Sequence, residues 1–299
     1  MKADLHIHSF HSNDGEYSIP EIIKFCIESG VDTFSITDHN SVGGSREAMQ
    51  LTADIGGVDF IPGIEIDCNY RGTDIHLLGY HVDLRGGDFD ALKSEVRQKH
   101  MDAIPQMIRN LEQLDIVIDL DELLLESEGE PPTGELFAEV LLQKPEQQSN
   151  PLLLPYFPGG ERSDMPLINF YLDFFAQGKQ AYVKIEHLDF KEAVDLVRSN
   201  GGIPIVAHPG LNLKGREDLV DEMMDHGAAG LEVFNNYHNE NQVSYFAGLT
   251  SKRGALMTCG SDFHGKNKPL ISVGQYHSVG SYSEYLEQSL SSMLDMGKD

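Results

Sequence analysis

A chain of 299 residues with 40% apolar and 23% charged side chains has globular composition, which excludes a disordered or low-complexity polymer and suits one large catalytic domain, with or without an insertion. A formal charge of -26 repels a phosphate backbone and disfavours broad electrostatic nucleic-acid binding, although divalent ions held by some of those carboxylates would invert the field locally. No apolar run reaches the ~18 residues of a membrane span, the start MKADLHIHSF lacks a signal-peptide core, and Cys26, Cys68 and Cys259 are scattered, so a cytoplasmic protein with reduced thiols and no membrane contact is expected.

Residues 3–9 alternate as a short strand. Residues 19–29 carry helical spacing, with Ser18 as N-cap, Pro20 in the first turn and Gly30 at the end. A strand over 31–37 ends at Asp38-His39, a helix follows over 45–51, and strands are expected over 58–66 and 74–82. This alternation predicts an α/β fold with largely parallel strands. Between about residues 90 and 180 the rhythm breaks into a long helix over 90–114, two shorter helical stretches and Pro-rich loops, a mainly helical insertion. It resumes with a helix over 189–202, a strand over 202–210 containing His208, a strand ending near Glu232, and a strand over 255–265 carrying Asp262-Phe263-His264, with helices between them.

Ligand-type residues recur at the ends of these strands: His6, His8, Asp38, His39, Glu65, His76, His208, Glu232, Asp262 and His264. Active sites of α/β barrels are built at that face. His6-Ile7-His8 puts two imidazoles on one side of a strand, and Asp262-Phe263-His264 repeats that spacing with a carboxylate. Glu65 lies in the apolar stretch PGIEI, where a carboxylate is costly unless paired or bound to a metal. Asp4 is expected to orient one imidazole. His and carboxylate donors without Cys suit Zn, Mn or Fe(II). No P-loop, GxSxG elbow or GxGxxG turn is present.

The stretches DLHIHS (4–9), ITDHN (36–40), AHPG (207–210) and GSDFHG (260–265), with Glu65 and His76 between them, resemble in their order the motifs of the polymerase and histidinol phosphatase (PHP) family, in its stand-alone phosphoesterase branch. The resemblance implies a distorted (β/α)7 barrel, here residues 1–90 and 181–299, with a helical insertion subdomain at 91–180. It implies two or three divalent ions (Mn, Zn or Fe) and phosphoester hydrolysis by a metal-bridging hydroxide. Carried over position by position, His6, His8, Glu65 and Asp262 would hold one ion, and Glu65, His76 and His208 a second. Asp14, His39 and His264 would hold a third, Asp14 lying in SNDGEYS, which is similar to the family's Ser-Asp-Gly segment.

The chain departs from the family at PPTGELFAEVL (131–141), where relatives carry an Arg-Pro-His-type motif with basic groups. Asp262 and His238 are the candidate catalytic residues, His238 as a phosphate ligand or as proton donor to the leaving oxygen. Lys179 and Arg162 are candidate phosphate contacts from the insertion, with solvated surface charge as the alternative. His11 is expected to be a loop residue, and His81, His100, His187, His226 and His277 structural or surface residues. The expected substrate is a small phosphomonoester, a nucleotide phosphate or a short oligonucleotide. Two alternatives stand beside it: amide or lactone hydrolysis on the same barrel, and a metal-binding regulatory module without catalysis.

Overall fold

In the computed structural model, which describes residues 2–53, 55–278 and 280–296, local signals set most element boundaries. Helix α1 (Ile19–Glu28) opens where Ser18 and Glu21 close a capping box, the Ser18 backbone N–H donating to Glu21 Oε2 at 2.9 Å. Strands β1 (Ala3–Asp4), β2 (Thr33–Phe34) and β3 (Asp59–Phe60) pair in parallel as a three-stranded sheet, with helix α2 (Gly43–Thr52) between β2 and β3. The single strand expected over 58–66 is in fact two. Pro62, which has no N–H to give a ladder, separates β3 from β4 (Gly63–Tyr70), and β4 belongs to a second sheet.

That second sheet has the order β6-β4-β5-β7-β8-β9, with β5 (Thr73–Tyr80), β6 (Leu188–Asp189), β7 (Ile203–Val206), β8 (Gly230–Phe234) and β9 (Leu256–Cys259). Parallel pairing is broken on both sides of β5. β4 turns back into β5 through Arg71 and Gly72, both at positive φ (50° and 78°), the conformation of a tight two-residue hairpin turn. Two isolated bridges link the sheets: Ile7 to Phe263, which joins the segments after the edge strands β1 and β9, and His39 to Glu65, which joins the segment after the central strand β2 to β4. The Leu5 N–H also donates to Cys259 O at 3.0 Å, and the Asn40 N–H to Glu65 O at 2.7 Å.

Helix α3 (Asp88–Glu112) runs through Pro105 and leads into α4 (Leu120–Glu126), α5 (Gly134–Leu142) and α6 (Pro166–Phe170). These helices share their own apolar cluster, centred on Ile104, Leu111, Phe137 and Phe170 and separate from the cluster under the six-stranded sheet. Helices α7 (Phe190–Ser199), α8 (Pro209–Asn212), α9 (Leu219–Asp225) and α10 (Glu240–Arg253) alternate with the later strands, and α11 (Ser283–Met296), which the sequence pattern did not suggest, packs on β9. Residues 1 and 297–299, the outer limits of the expected barrel segments, lie outside the described residues. Among the described residues no helix is long and apolar enough to cross a membrane, and all three cysteines are buried and free.

Phe137 is fully buried at the centre of the helical cluster. Phe137→Ala is expected to cost about 3–5 kcal/mol in chemical denaturation, the penalty of an unfilled aromatic cavity.

Candidate metal centre

Strand geometry decides which side chains meet. Asp67 stands two residues beyond Glu65 on β4, so both face one side of the sheet, and His76 is the direct cross-strand partner of Asp67 on β5. For Glu65 and His76 this corrects the strand-end picture, because both lie within the antiparallel hairpin. The other ligand-type residues follow β1, β2, β7 and β9, or lie in β8.

Glu65 is fully buried and its two oxygens face five imidazoles. Oε1 lies 3.0 Å from His76 Nδ1 and 3.1 Å from His208 Nε2. Oε2 lies 3.2 Å from His6 Nε2, 3.2 Å from His8 Nε2 and 3.5 Å from His39 Nε2. Asp262 Oδ1 joins the first group at 3.4 Å from His6 Nε2 and 3.3 Å from His8 Nε2. Asp14 Oδ2 faces His264 Nε2 at 3.0 Å and His39 Nε2 at 3.5 Å. Three donor groups thus converge: His6, His8, Glu65 and Asp262; Glu65, His76 and His208; Asp14, His39 and His264.

The second contact of four of the imidazoles tests whether the donors fit metal ions. His6 Nδ1 pairs with Glu232 Oε1 (3.0 Å), His39 Nδ1 with Asp67 Oδ1 (2.9 Å), His208 Nδ1 with Asn212 Oδ1 (2.6 Å) and His264 Nδ1 with Asp262 O (2.9 Å). A donating Nδ1–H leaves the lone pair on Nε2, and in all four residues Nε2 points into the cluster, the arrangement of metal-ligating histidines. Glu65 Oε2 is buried and makes no hydrogen bond among the described residues despite its three imidazole neighbours. Lone pairs converging without hydrogen bonds are what a cation requires, so the residues present fit divalent ions.

The backbone at the site is strained. His208 (φ 20°), Asp262 (φ 58°) and Asn40 (φ 52°) occupy the left-handed region, uncommon for residues with a Cβ. Gly260 lets the chain pass, because a Cβ there would lie 2.2 Å from His6 Cβ.

Charge follows the same layout. Burial works against the charge on His6 and His39, yet Glu65, with Glu232 and Asp262 around His6 and with Asp67 and Asp14 around His39, holds both pKa values well above the usual range. Burial likewise opposes ionisation of Glu65, Asp14 and Asp262, and neighbouring imidazoles, together with Lys268 for Asp262, hold all three carboxyls well below theirs. Protons on histidine thus balance carboxylates in the places where cations would do so.

Sequence reasoning missed several contacts. Asp4 does not orient an imidazole; it accepts the backbone N–H groups of Ser261 (2.9 Å) and Gly274 (2.7 Å). Glu232 plays that part, holding His6 and also accepting the His208 N–H at 2.8 Å. Lys268 Nζ lies 2.6 Å from Asp262 Oδ2, and the Tyr237 hydroxyl donates to the same oxygen. Lys268 stands four residues after His264 and Tyr237 beside His238, proximity that the spacing alone did not single out. Glu135, buried on α5, has its pKa pushed up to about 7 by burial and by Asp14.

Other expected contacts lie elsewhere. His238 is buried, its Nδ1 donating to Val233 O (2.9 Å) and its Nε2 accepting the Gly210 N–H (2.8 Å). Neither nitrogen is left for a leaving oxygen, so His238 holds the turn after His208. Arg162 is paired with Asp173 at 2.8 Å within the insertion, and Lys179 is exposed; neither joins the converging donors. His11 packs in its loop against Glu47 at 2.9 Å.

The PHP domain model matches residues 4–152. The chain is 28% identical over 281 residues to a 5'-3' exoribonuclease of Haemophilus influenzae, covering 90% of this chain and 95% of that protein. It is 27% identical to a phosphoribosyl 1,2-cyclic phosphate 1,2-diphosphodiesterase of Eggerthella lenta (92% and 98% covered) and 26% identical to a 3',5'-nucleoside bisphosphate phosphatase of Chromobacterium violaceum (91% and 90%). Among solved structures, an amidohydrolase from Chromobacterium violaceum shares the fold with a TM-score of 0.76 at 24% identity, covering 97% of each chain.

Two measurements probe this layout. Glu232→Gln is expected to weaken divalent-metal affinity roughly 10- to 100-fold in calorimetric titration, since it loosens both His6 and the His208 backbone. In metal-free protein, the raised His6 and His39 pKa values give stability that is fully present below the unfolded imidazole value of about 6.5 and is lost as pH rises through the higher folded values. The lowered carboxyls give stability present above about pH 4 and lost as pH falls through their folded values. With chelator present, the melting temperature should therefore fall as pH rises above about 6.5, and added Mn or Zn should restore it. A flat profile in chelator would contradict this account.

Proposed function

This chain belongs to the PHP domain family and is a metal-dependent hydrolase of phosphoester bonds, and we propose that its substrate is a small phosphomonoester, a nucleotide phosphate or a short oligonucleotide. The two sheets, linked by the Ile7–Phe263 and His39–Glu65 bridges, support reading the fold as a distorted (β/α)7 barrel of residues 1–90 and 181–299, with 91–180 as the helical insertion subdomain; a cytoplasmic location goes with that reading. The observation that carries the functional reading is the shared position of Glu65 between donor groups that fit two ions, with a third group beside them.

On the distances to Glu65, Asp262 and Asp14, the set His6, His8, Glu65 and Asp262 would hold one ion, Glu65, His76 and His208 a second, and Asp14, His39 and His264 a third, of Mn, Zn or Fe type. Such ions, when bound, supply Lewis-acid polarisation of the phosphoryl oxygens and acidify a water for in-line attack. The chain's own residues do the rest. Glu232, Asp67, Asn212 and the Asp262 carbonyl fix four imidazoles in one tautomer. Lys268 and Tyr237 engage Asp262 Oδ2 while Oδ1 faces His6 and His8, which supports reading Asp262 as the catalytic carboxylate. Lys268 also brings a buried positive charge to that edge, where a phosphate would need one. His238 acts only by positioning His208.

The three relatives named above carry activities on nucleotide-type or ribosyl phosphoesters, which supports the substrate class. The test is turnover by Mn-loaded protein of a generic phosphomonoester and a nucleoside 3',5'-bisphosphate. Glu65→Ala and His208→Ala should each lower kcat/KM by about a thousandfold or more, ~4 kcal/mol of barrier. No turnover of either substrate, or residual turnover indifferent to both substitutions, would overturn the reading.

A further inference from the structure

We propose that Asp67, His100 and His187 form a further divalent-cation site of the Zn, Mn or Fe type, next to the three donor groups but outside them. Three separate segments supply the donors: Asp67 from β4, His100 from the middle of α3, and His187 from the loop just before β6. One donor atom from each lies within 4.8 Å of the others. The two rings stand 5.7 Å apart between centroids. Lys99 Nζ donates to Glu186 O at 2.7 Å, which ties the His100 turn of α3 to the residue before His187.

Packing alone leaves the two histidines unexplained. His100 Nε2 and His187 Nδ1 are buried atoms with no hydrogen-bond partner among the described residues. Leaving a buried polar atom unpaired costs roughly 1–3 kcal/mol, and here two such atoms belong to imidazoles grouped with a carboxylate. His226, by comparison, pairs with the Tyr70 hydroxyl at 3.1 Å. His81 also has an unpartnered ring nitrogen, but no carboxylate or second imidazole is grouped with it. Burial holds His100 toward its neutral form, which offers a lone pair.

Asp67 has capacity for the contact. Oδ1 takes His39 Nδ1 at 2.9 Å, with His76 Nε2 farther off at 3.6 Å, and Oδ2 takes Asn40 Nδ2 at 2.7 Å. A carboxylate presents about four lone-pair positions, so about two remain. Two imidazoles and one carboxylate are a common three-ligand set for Zn and Fe(II), and ions of this kind sit ~2.0–2.2 Å from their ligands, within reach of small side-chain rotations here. An ion at this position would link the insertion helix α3 to the strand that carries Glu65, and through Asp67 to His39.

Metal content after Zn loading and removal of unbound ion tests the site. His100→Ala and His187→Ala should each hold one ion fewer per chain than the wild type and than His226→Ala, with the remaining ions unchanged. Equal content in all four proteins would overturn the proposal. Anomalous diffraction at the zinc edge on the wild-type protein gives a readout that does not depend on how the variants fold. A peak between Asp67, His100 and His187 is expected. Peaks around Glu65 without one here would sink this inference and leave the phosphoesterase reading standing, whereas no peak at either place would remove both.

Discussion

The structure turns on one carboxylate. Glu65 sits fully buried, where an isolated negative charge would be prohibitively costly, and five imidazole nitrogens within 3.5 Å compensate it. Those imidazoles come from the segments after β1, β2 and β7 and from β5, so four parts of the chain must be in register for Glu65 to be tolerated at all. Removing any one partner leaves charge unbalanced in a dry interior. The hairpin turn at Arg71-Gly72 matters for this reason: it fixes the antiparallel register that sets His76 opposite Asp67, two register positions from the Glu65–Leu78 pair and on the same face as Glu65.

An outer layer keeps the donors aimed. Glu232 spans two of the groups, contacting His6 by its side chain and His208 through the backbone, so the two cannot drift independently. The strained backbone at His208 and Asp262 is held by similar means: His238 clamps the turn after His208, and the Asp262 carbonyl binds His264 while its side chain takes Lys268. Strain of this kind persists only where the surroundings over-determine it. Carboxylates that would repel phosphate unaided are, in this buried cluster, the groups that would bind cations able to attract it.

Much of this was legible in the sequence, and the reasons it stopped being legible are physical. His6, His8, Glu65, His208, Asp262 and His264 stood out because ligand-type residues in apolar strands or at strand ends have few structural excuses. Asp67 obeys the same period-two rule from Glu65, but it lies one residue past the strand expected over 58–66, so the rule is not extended to it. His100 and His187 looked inert because nothing in a one-dimensional pattern brings the middle of α3 to the loop before β6. His238 misled for the opposite reason: a histidine among polar residues just past a strand suggested a phosphate ligand or proton donor, whereas the folded chain engages both its nitrogens with backbone groups. The parallel-sheet expectation failed at β5 because the Arg-Gly turn was too short a signal to overrule the strand–helix rhythm around it.

The spread of the donors along the chain has a consequence for how the protein forms. His6 lies near the start and His264 near the finish, and the strands that carry them meet through the Ile7–Phe263 bridge. Contacts of that sequence separation are entropically the last to close. A nascent chain that has emerged as far as the insertion holds His6, His8, Asp14, His39, Glu65 and His76 but lacks Asp262, so the carboxylate and histidines it exposes are a loose, incomplete cluster. Closure of the Ile7–Phe263 bridge and completion of the donor set are thereby coupled: an ion held by His6, His8, Glu65 and Asp262 would tie together segments more than 250 residues apart.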